Sequence, residues 1–135
     1  MEKINLENDI KVFGLHVAGF PNGVDDAFHN LIKKIDDKED GRNYYGISEF
    51  KNGKMFYYAA AEEKNEGEAK KFNYDSYTIK SGEYFTETLK NWRTQTDCIK
   101  DIFSEMMKDN RIDETTPAIE WYKNDEEMLC MIKAL

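Results

Sequence analysis

The stretch Gly46-Ile47-Ser48-Glu49-Phe50-Lys51-Asn52-Gly53 is echoed 72 residues later, where Ile47 meets Ile119, Phe50 meets Tyr122, Lys51 meets Lys123 and Asn52 meets Asn124. A self-similarity at fixed offset constrains architecture more than any single short motif does. The later copy lies in the last twenty residues, which read as two strands, Ala118 to Tyr122 and Met128 to Ile132, around the polar turn Lys123-Asn124-Asp125-Glu126. In each half a helical pattern precedes the hairpin, and an extended one precedes the helix. The chain therefore reads as α+β, one β-α-β-β unit written twice, with pseudo-repeats at roughly 1–63 and 72–135 of a single domain spanning 1–135. A doubled unit of this kind places a ligand cleft at its seam.

The local signals agree with that reading. Ile10 to Ala18 is the first strand, broken at Gly19-Phe20-Pro21-Asn22-Gly23. Asn22 or Gly23 caps the next helix, whose first turn carries Asp25 and Asp26, the favourable charge for a helix N-terminus. Val24, Phe28, Leu31, Ile32 and Ile35 form its apolar face, and Asp36 to Gly41 ends it as a solvated loop. Tyr44 to Ala61 is a hairpin turning at Asn52-Gly53, because both residues accept positive φ. Its second strand, Met55 to Ala61, is apolar on both faces and so central. Glu62 to Lys71 reads as a polar connector between the halves. Phe72 to Leu89 suits strands interrupted at Lys80-Ser81-Gly82. A helix follows, capped by Thr94 or Thr96, with Cys98, Ile99, Ile102, Phe103, Met106 and Met107 on its apolar face.

Charge narrows the partners. A net charge of -8 and a pI near 4.8 oppose a phosphate backbone or an anionic membrane surface, and no DNA-binding segment is present. A cationic partner suits that field better. Eighteen aromatic residues, eight Tyr, eight Phe and two Trp, argue against disorder. The chain opens on polar Met1-Glu2-Lys3-Ile4-Asn5 and holds no apolar run of membrane-spanning length. Cys98 and Cys130 both fall among apolar neighbours, as reduced cysteine does. The expected location is the cytoplasm.

Several of these segments carry a likeness. Tyr77-Thr78-Ile79-Lys80-Ser81-Gly82-Glu83-Tyr84 resembles the I-P-x-G-x-Y stretch of GyrI-like, or AraC-type effector-binding, domains, with Lys80 departing from the pattern. Pro117-Ala118-Ile119-Glu120-Trp121-Tyr122 is similar to that family's P-x-x-E-x-Y strand. Ile10 to Leu15 and Met128 to Leu135 resemble its opening and closing strands. The resemblance implies one curved antiparallel sheet with two helices, and a groove between halves that holds small, often cationic and aromatic, molecules against an acidic residue. Members of the family include fusions to helix-turn-helix regulators, gyrase-binding proteins and hydrolases of strained rings.

Glu120 is the candidate this points to, a carboxylate between Ile119 and Trp121 in an apolar strand. Burying it unpaired is costly, so it either meets a ligand cation or turns to solvent or a Lys or Arg partner. Alternation puts Tyr122 on its side, mirrored by Ser48 and Phe50, and puts Trp121 opposite, beneath a helix. Phe50, Tyr84, Tyr58 and Trp92 complete the expected ligand-binding set, aromatic faces that add cation–π attraction. Trp92, beside Asn91 and Arg93, reads as a lid over the groove or a pin for its loop.

His16 and His29 have no metal-ligand spacing around them, and neither a phosphate loop nor a nucleophile elbow is present, so no metal, cofactor or catalytic residue is expected. The leading expectation is a stand-alone small-molecule-binding domain serving transcriptional regulation, or the sensing or sequestration of a drug or toxin. A hydrolase using a Glu/Tyr pair in the same groove, and a protein-binding regulator of the gyrase-inhibitor type, stand beside it.

Overall fold

A computed structural model describes residues 1–20, 22–35 and 42–135. Pro21 and the expected Asp36–Gly41 loop lie outside the described residues. The elements in chain order are β1 (Glu2–Leu6), β2 (Ile10–His16), α1 (Val24–Ile35), β3 (Tyr44–Lys51), β4 (Lys54–Glu62), α2 (Glu68–Phe72), β5 (Asp75–Ile79) and β6 (Gly82–Lys90). A 3-10 turn at Trp92–Thr94 leads to α3 (Asp97–Met106), and β7 (Ala118–Tyr122) and β8 (Glu127–Lys133) close the chain. The eight strands of the described residues join one antiparallel sheet in the order β1-β6-β8-β7-β3-β4-β2-β5.

That order reads the same from both edges once halves are exchanged, and the central register shows why. At the seam β3 pairs with β7 so that Ile47 faces Ile119, with Gly46 opposite Glu120 and Ser48 opposite Ala118. A two-fold axis at Ile47–Ile119 interchanges those two outer pairs, at the same offset of 72 found in the sequence. Asn52 and Gly53 both take positive φ, 52° and 76°, which fixes the first hairpin as a tight two-residue turn with Lys51 opposite Lys54.

Each half holds one strand more than the β-α-β-β unit. The extra strand, β1 or β5, does not pair within its own half. β1 adds to β6 of the second half, and β5 adds to β2 of the first. The halves are thus cross-strapped at both edges. β1 was hidden in the sequence because an edge strand needs only alternate apolar residues, and Ile4 and Leu6 are its whole signal.

The sheet is curled into a half-barrel. β5 and β7 lie four strand steps apart, roughly 19 Å across a flat sheet. Yet Tyr77 and Ile79 of β5 line one small cavity with Ile119 of β7 and Lys133 of β8. The helix-free face is therefore the inside of the curl. It is filled by Val12, Tyr45, Ile47, Ala60, Ile79, Tyr84, Ile119 and Met131. On the outer face α1 packs on β2 and β4, and α3 on β8, one helix to each side of the seam. Leu31, Ile35 and Met106 are buried there, with Ile99, Ile102 and Phe103 half-buried, while Ile32 is 50% exposed and Ala27 takes the contact expected of it. Cys98 is exposed and not on the packed face.

The connector between halves is more than a surface link. It contains α2, whose Glu68 is 5% exposed. Arg42 donates to both carboxylate oxygens of Glu68, at 3.1 and 2.9 Å, and also to the Glu62 carbonyl. The Lys64 and Asn65 amides donate to the same carboxylate. Arg42 and these amides pull the Glu68 carboxyl down to about 2.

Candidate functional site

Glu120 sits on the seam, on the outer face, between the helices. Strand alternation sends it and Tyr122 outward, to the face on which α1 packs to one side of the β3–β7 pair and α3 to the other. It is 8% exposed. Tyr122 donates its hydroxyl to Glu120 Oε1 at 2.5 Å, and Tyr57 of β4 donates to the same oxygen at 2.7 Å. Tyr57 reaches across β3 only because the intervening residue is Gly46. A Cβ there would stand 2.0 Å from the Tyr57 hydroxyl and 2.6 Å from Glu120 Oε1.

Both phenol protons are thus spent on Oε1. Glu120 Oε2 has no hydrogen-bond partner among the described residues, and since no fully buried polar atom there lacks one, Oε2 keeps some solvent access. No Lys or Arg among the described residues pairs with Glu120. Burial consequently raises its pKa, with the two tyrosine hydrogen bonds opposing that rise and losing. Burial, then the negative charge of Glu120, pushes both Tyr57 and Tyr122 well above the ordinary phenol range, so they remain proton donors. The cross-strand neighbour Cys130 is pushed up to about 12, chiefly by burial, and stays a thiol.

Aromatic rings close around this carboxylate. Phe20 stacks on Tyr57, centroids 4.8 Å apart and planes 9° from parallel. Trp92 approaches Tyr122 at 4.8 Å, and Phe28 of α1 meets the same ring edge-on at 5.4 Å. Glu120, Tyr122 and Trp92 are thereby gathered in one place. Trp92 both covers and pins, since its indole N–H donates to the Asn124 carbonyl at 2.8 Å.

Three expected members do not join them. Tyr58 and Tyr84 point to the inner face, because each stands an odd number of positions out of phase with Glu120 across the paired strands. Tyr84 donates to the Lys80 carbonyl at 2.6 Å, tying the β5–β6 link. Tyr58 stacks near Tyr77 and lines an inner-face trough of about 360 Å³ with Gly14, Ala60, Asp75 and Ser76. Among the described residues that line the trough the exposed Asp75 is the one charge, whereas the seam holds a buried carboxylate with an open oxygen, the stronger reason for a ligand. Phe50 is on the outer face but 70% exposed, at the hairpin end, about 13 Å along the strand from Gly46. Trp121 faces inward as alternation requires, but it lies against Tyr45 on the helix-free side and not under a helix.

The residues missed were Tyr57, Gly46, Phe20 and Phe28. Two of them left a signal. The Asn52-Gly53 turn sets Ser48, the repeat mate of Glu120, opposite Tyr57 and not Tyr58. A glycine inside a strand marks a close approach, as Gly46 does here.

No family model and no curated protein matches the sequence. Solved structures do share the fold. A protein named SAV2435, solved with tetraphenylphosphonium bound, superposes with a TM-score of 0.74 over 100% of this chain and 94% of that one, at 14% identity. A Staphylococcus aureus protein described under bacterial transcription regulation gives 0.61 over 98% and 97%, also at 14% identity. A Listeria innocua hydrolase gives 0.61 over 99% and 90%, at 11% identity. At such identities the likeness establishes architecture: an α+β chain whose curled antiparallel half-barrel, with helices on one face, is the GyrI-like fold.

Proposed function

We propose that this chain is a small-molecule-binding domain that takes an organic cation at the seam between its halves, with Glu120 as the counter-charge. The observation that carries the reading is the state of Glu120: buried, held by Tyr57 and Tyr122 through one oxygen, with the other oxygen unpartnered and no cation beside it among the described residues. A carboxylate kept in such a place is costly unless something positive completes it. Rings of Tyr57, Tyr122, Phe20 and Trp92 supply the apolar and π surface that an organic cation prefers to a hydrated metal ion. The tetraphenylphosphonium complex of SAV2435, on the same fold, supports that ligand class. The role served is sensing or sequestration of such a compound.

The test is titration calorimetry with tetraphenylphosphonium and with neutral triphenylphosphine oxide, at matched salt, on wild type and Glu120→Gln. Gln keeps the shape and the acceptor for both tyrosines. The cation should bind roughly 100-fold more weakly, since removing one partner of a buried charge pair costs about 3 kcal/mol, while the neutral compound should change less than about twofold. Equal affinity of both proteins for the cation would remove Glu120 from the site. Because a hydrolase shares the fold, a second reading rests on the Glu120–Tyr122 pair as acid and base. Mass analysis of strained-ring ester and epoxide probes after incubation decides it: turnover lost in Tyr122→Phe supports hydrolysis, and no turnover leaves binding as the function.

A further inference from the structure

The rings that close the seam are not held equally. Phe20 and Trp92 stand 72 residues apart, the offset of the repeat, each in the link between a strand and the helix of its half. They are symmetry mates, and each covers one of the two tyrosines on Glu120: Phe20 lies on Tyr57 and Trp92 on Tyr122. Trp92 is fastened to the β7–β8 hairpin three ways. Its indole N–H bonds to the Asn124 carbonyl, the Asn91 amide donates to the Glu126 carbonyl at 2.6 Å, and Arg93 pairs with Asp125 at 2.8 Å. Phe28 is built into α1 and packs in the outer core, and Tyr57 is 1% exposed. Phe20 differs from all of these. It is a hydrocarbon ring, 37% exposed, between Gly19 and Gly23, whose φ angles of 82° and 87° suit glycine alone.

Glu120 is only 8% exposed beneath its rings, so a ligand with rings reaches it where a covering ring gives way. Phe20 is the ring that costs least to move, and it is lying flat on the surface such a ligand would use. We propose that the face of Tyr57 now covered by Phe20 is an aryl subsite: a cation carrying an aryl ring lays that ring on Tyr57 in place of Phe20, with its charge at Glu120 Oε2. Phe20 then acts as a built-in competitor that weakens only those cations whose ring must take its place, and leaves purely alkyl ones unaffected. This rests on the seam-binding reading, and the experiment separates the two.

Tetraphenylphosphonium and tetrabutylammonium, equal in charge and different in rings, are titrated into wild type, Phe20→Ala, Phe20→Leu and Glu120→Gln. Removing the competitor should tighten tetraphenylphosphonium about two- to tenfold in both Phe20 variants, as a stacked pair is given up and the open state gains population. Tetrabutylammonium should change less than about twofold. Thermal unfolding checks that the variants fold, and Phe20→Leu keeps apolar cover if the alanine variant does not. Tetraphenylphosphonium binding that weakens or stays level in both Phe20 variants would overturn the aryl subsite, making Phe20 a wall. Equal tightening of both cations would show that Phe20 competes with any occupant of the seam, and would overturn a subsite specific to rings. If Glu120→Gln weakens neither cation, the seam reading itself fails. If Glu120→Gln weakens both while the Phe20 variants do not tighten, the seam reading survives and the subsite does not.

Discussion

Glu68 and Glu120 are both buried carboxylates, 5% and 8% exposed, and they are opposites in every other respect. Glu68 meets Arg42 in a two-point ion pair and takes two backbone amides, so its charged form is favoured and its pKa falls to about 2. Glu120 meets two phenols and, among the described residues, no cation, so desolvation wins and its pKa rises. The first carboxylate is completed by its own chain and serves the fold by anchoring α2 and the connector. The second is left incomplete. Burial alone does not distinguish the two acids; burial without a charge partner is what supports the proposal of Glu120 as the counter-charge of a bound cation.

The largest effect that sharpens this contrast is Glu68→Gln. Folding lowers this pKa from 4.5 to about 2, which at 1.36 kcal/mol per unit contributes about 3 kcal/mol at neutral pH. That stability is fully present above pH 4.5 and is lost as pH falls toward 2. Urea unfolding should therefore show a loss of about 3 kcal/mol at pH 7 that shrinks on acidification. A loss independent of pH would deny the charge its role.

Gly46→Ala should cost about 2–3 kcal/mol, because the new methyl group overlaps the Tyr57 hydroxyl and crowds Glu120. It should also abolish cation binding, which a stability loss elsewhere in the sheet would not. Tyr57→Phe follows at about 2 kcal/mol, the usual worth of a hydrogen bond to a charged group. With one donor gone, the Glu120 pKa should rise further, a shift that carboxyl infrared or NMR titration reads.

Glu120→Gln should move stability the other way from Glu68→Gln. With a raised folded pKa, wild type binds the proton more tightly folded than unfolded, so ionisation penalises the native state as pH climbs above 4.5. The variant should have the higher Tm at pH 7, with the difference closing below pH 4.5. A lower Tm at pH 7 would mean that a cation of the chain already completes the site. The smallest effects belong to Tyr58→Phe and Phe50→Ala, which should change tetraphenylphosphonium affinity less than twofold, since neither ring reaches the seam.

Much of this was written in the chain. The repeat around Ile47 and Ile119 determined a two-fold architecture, because the same local sequence forms the same hairpin and two equal hairpins pair most simply about an axis. The Asn52-Gly53 turn determined the register of β3 on β4, since only such residues take two successive positive φ angles. Glu120 was conspicuous as a charge in an apolar strand, and alternation tied Tyr122 to its side.

What the sequence alone did not determine is what covers each face. Strand alternation says which residues share a face, but not whether helices or the curl of the sheet covers it. Trp121 was therefore assigned to the helices and belongs to the interior of the half-barrel. The pairing of β1 and β5 with opposite halves is set by contacts more than 60 residues distant in sequence, which leave no local pattern. Arg42 and Glu68 are each ordinary surface residues until the connector folds back over the first half and removes them from water together. Most of all, the sequence named one acid and could not say whether a cation stood beside it. Charges distant in the chain become neighbours only by tertiary packing, and that packing gave Arg42 to Glu68 and two phenols to Glu120.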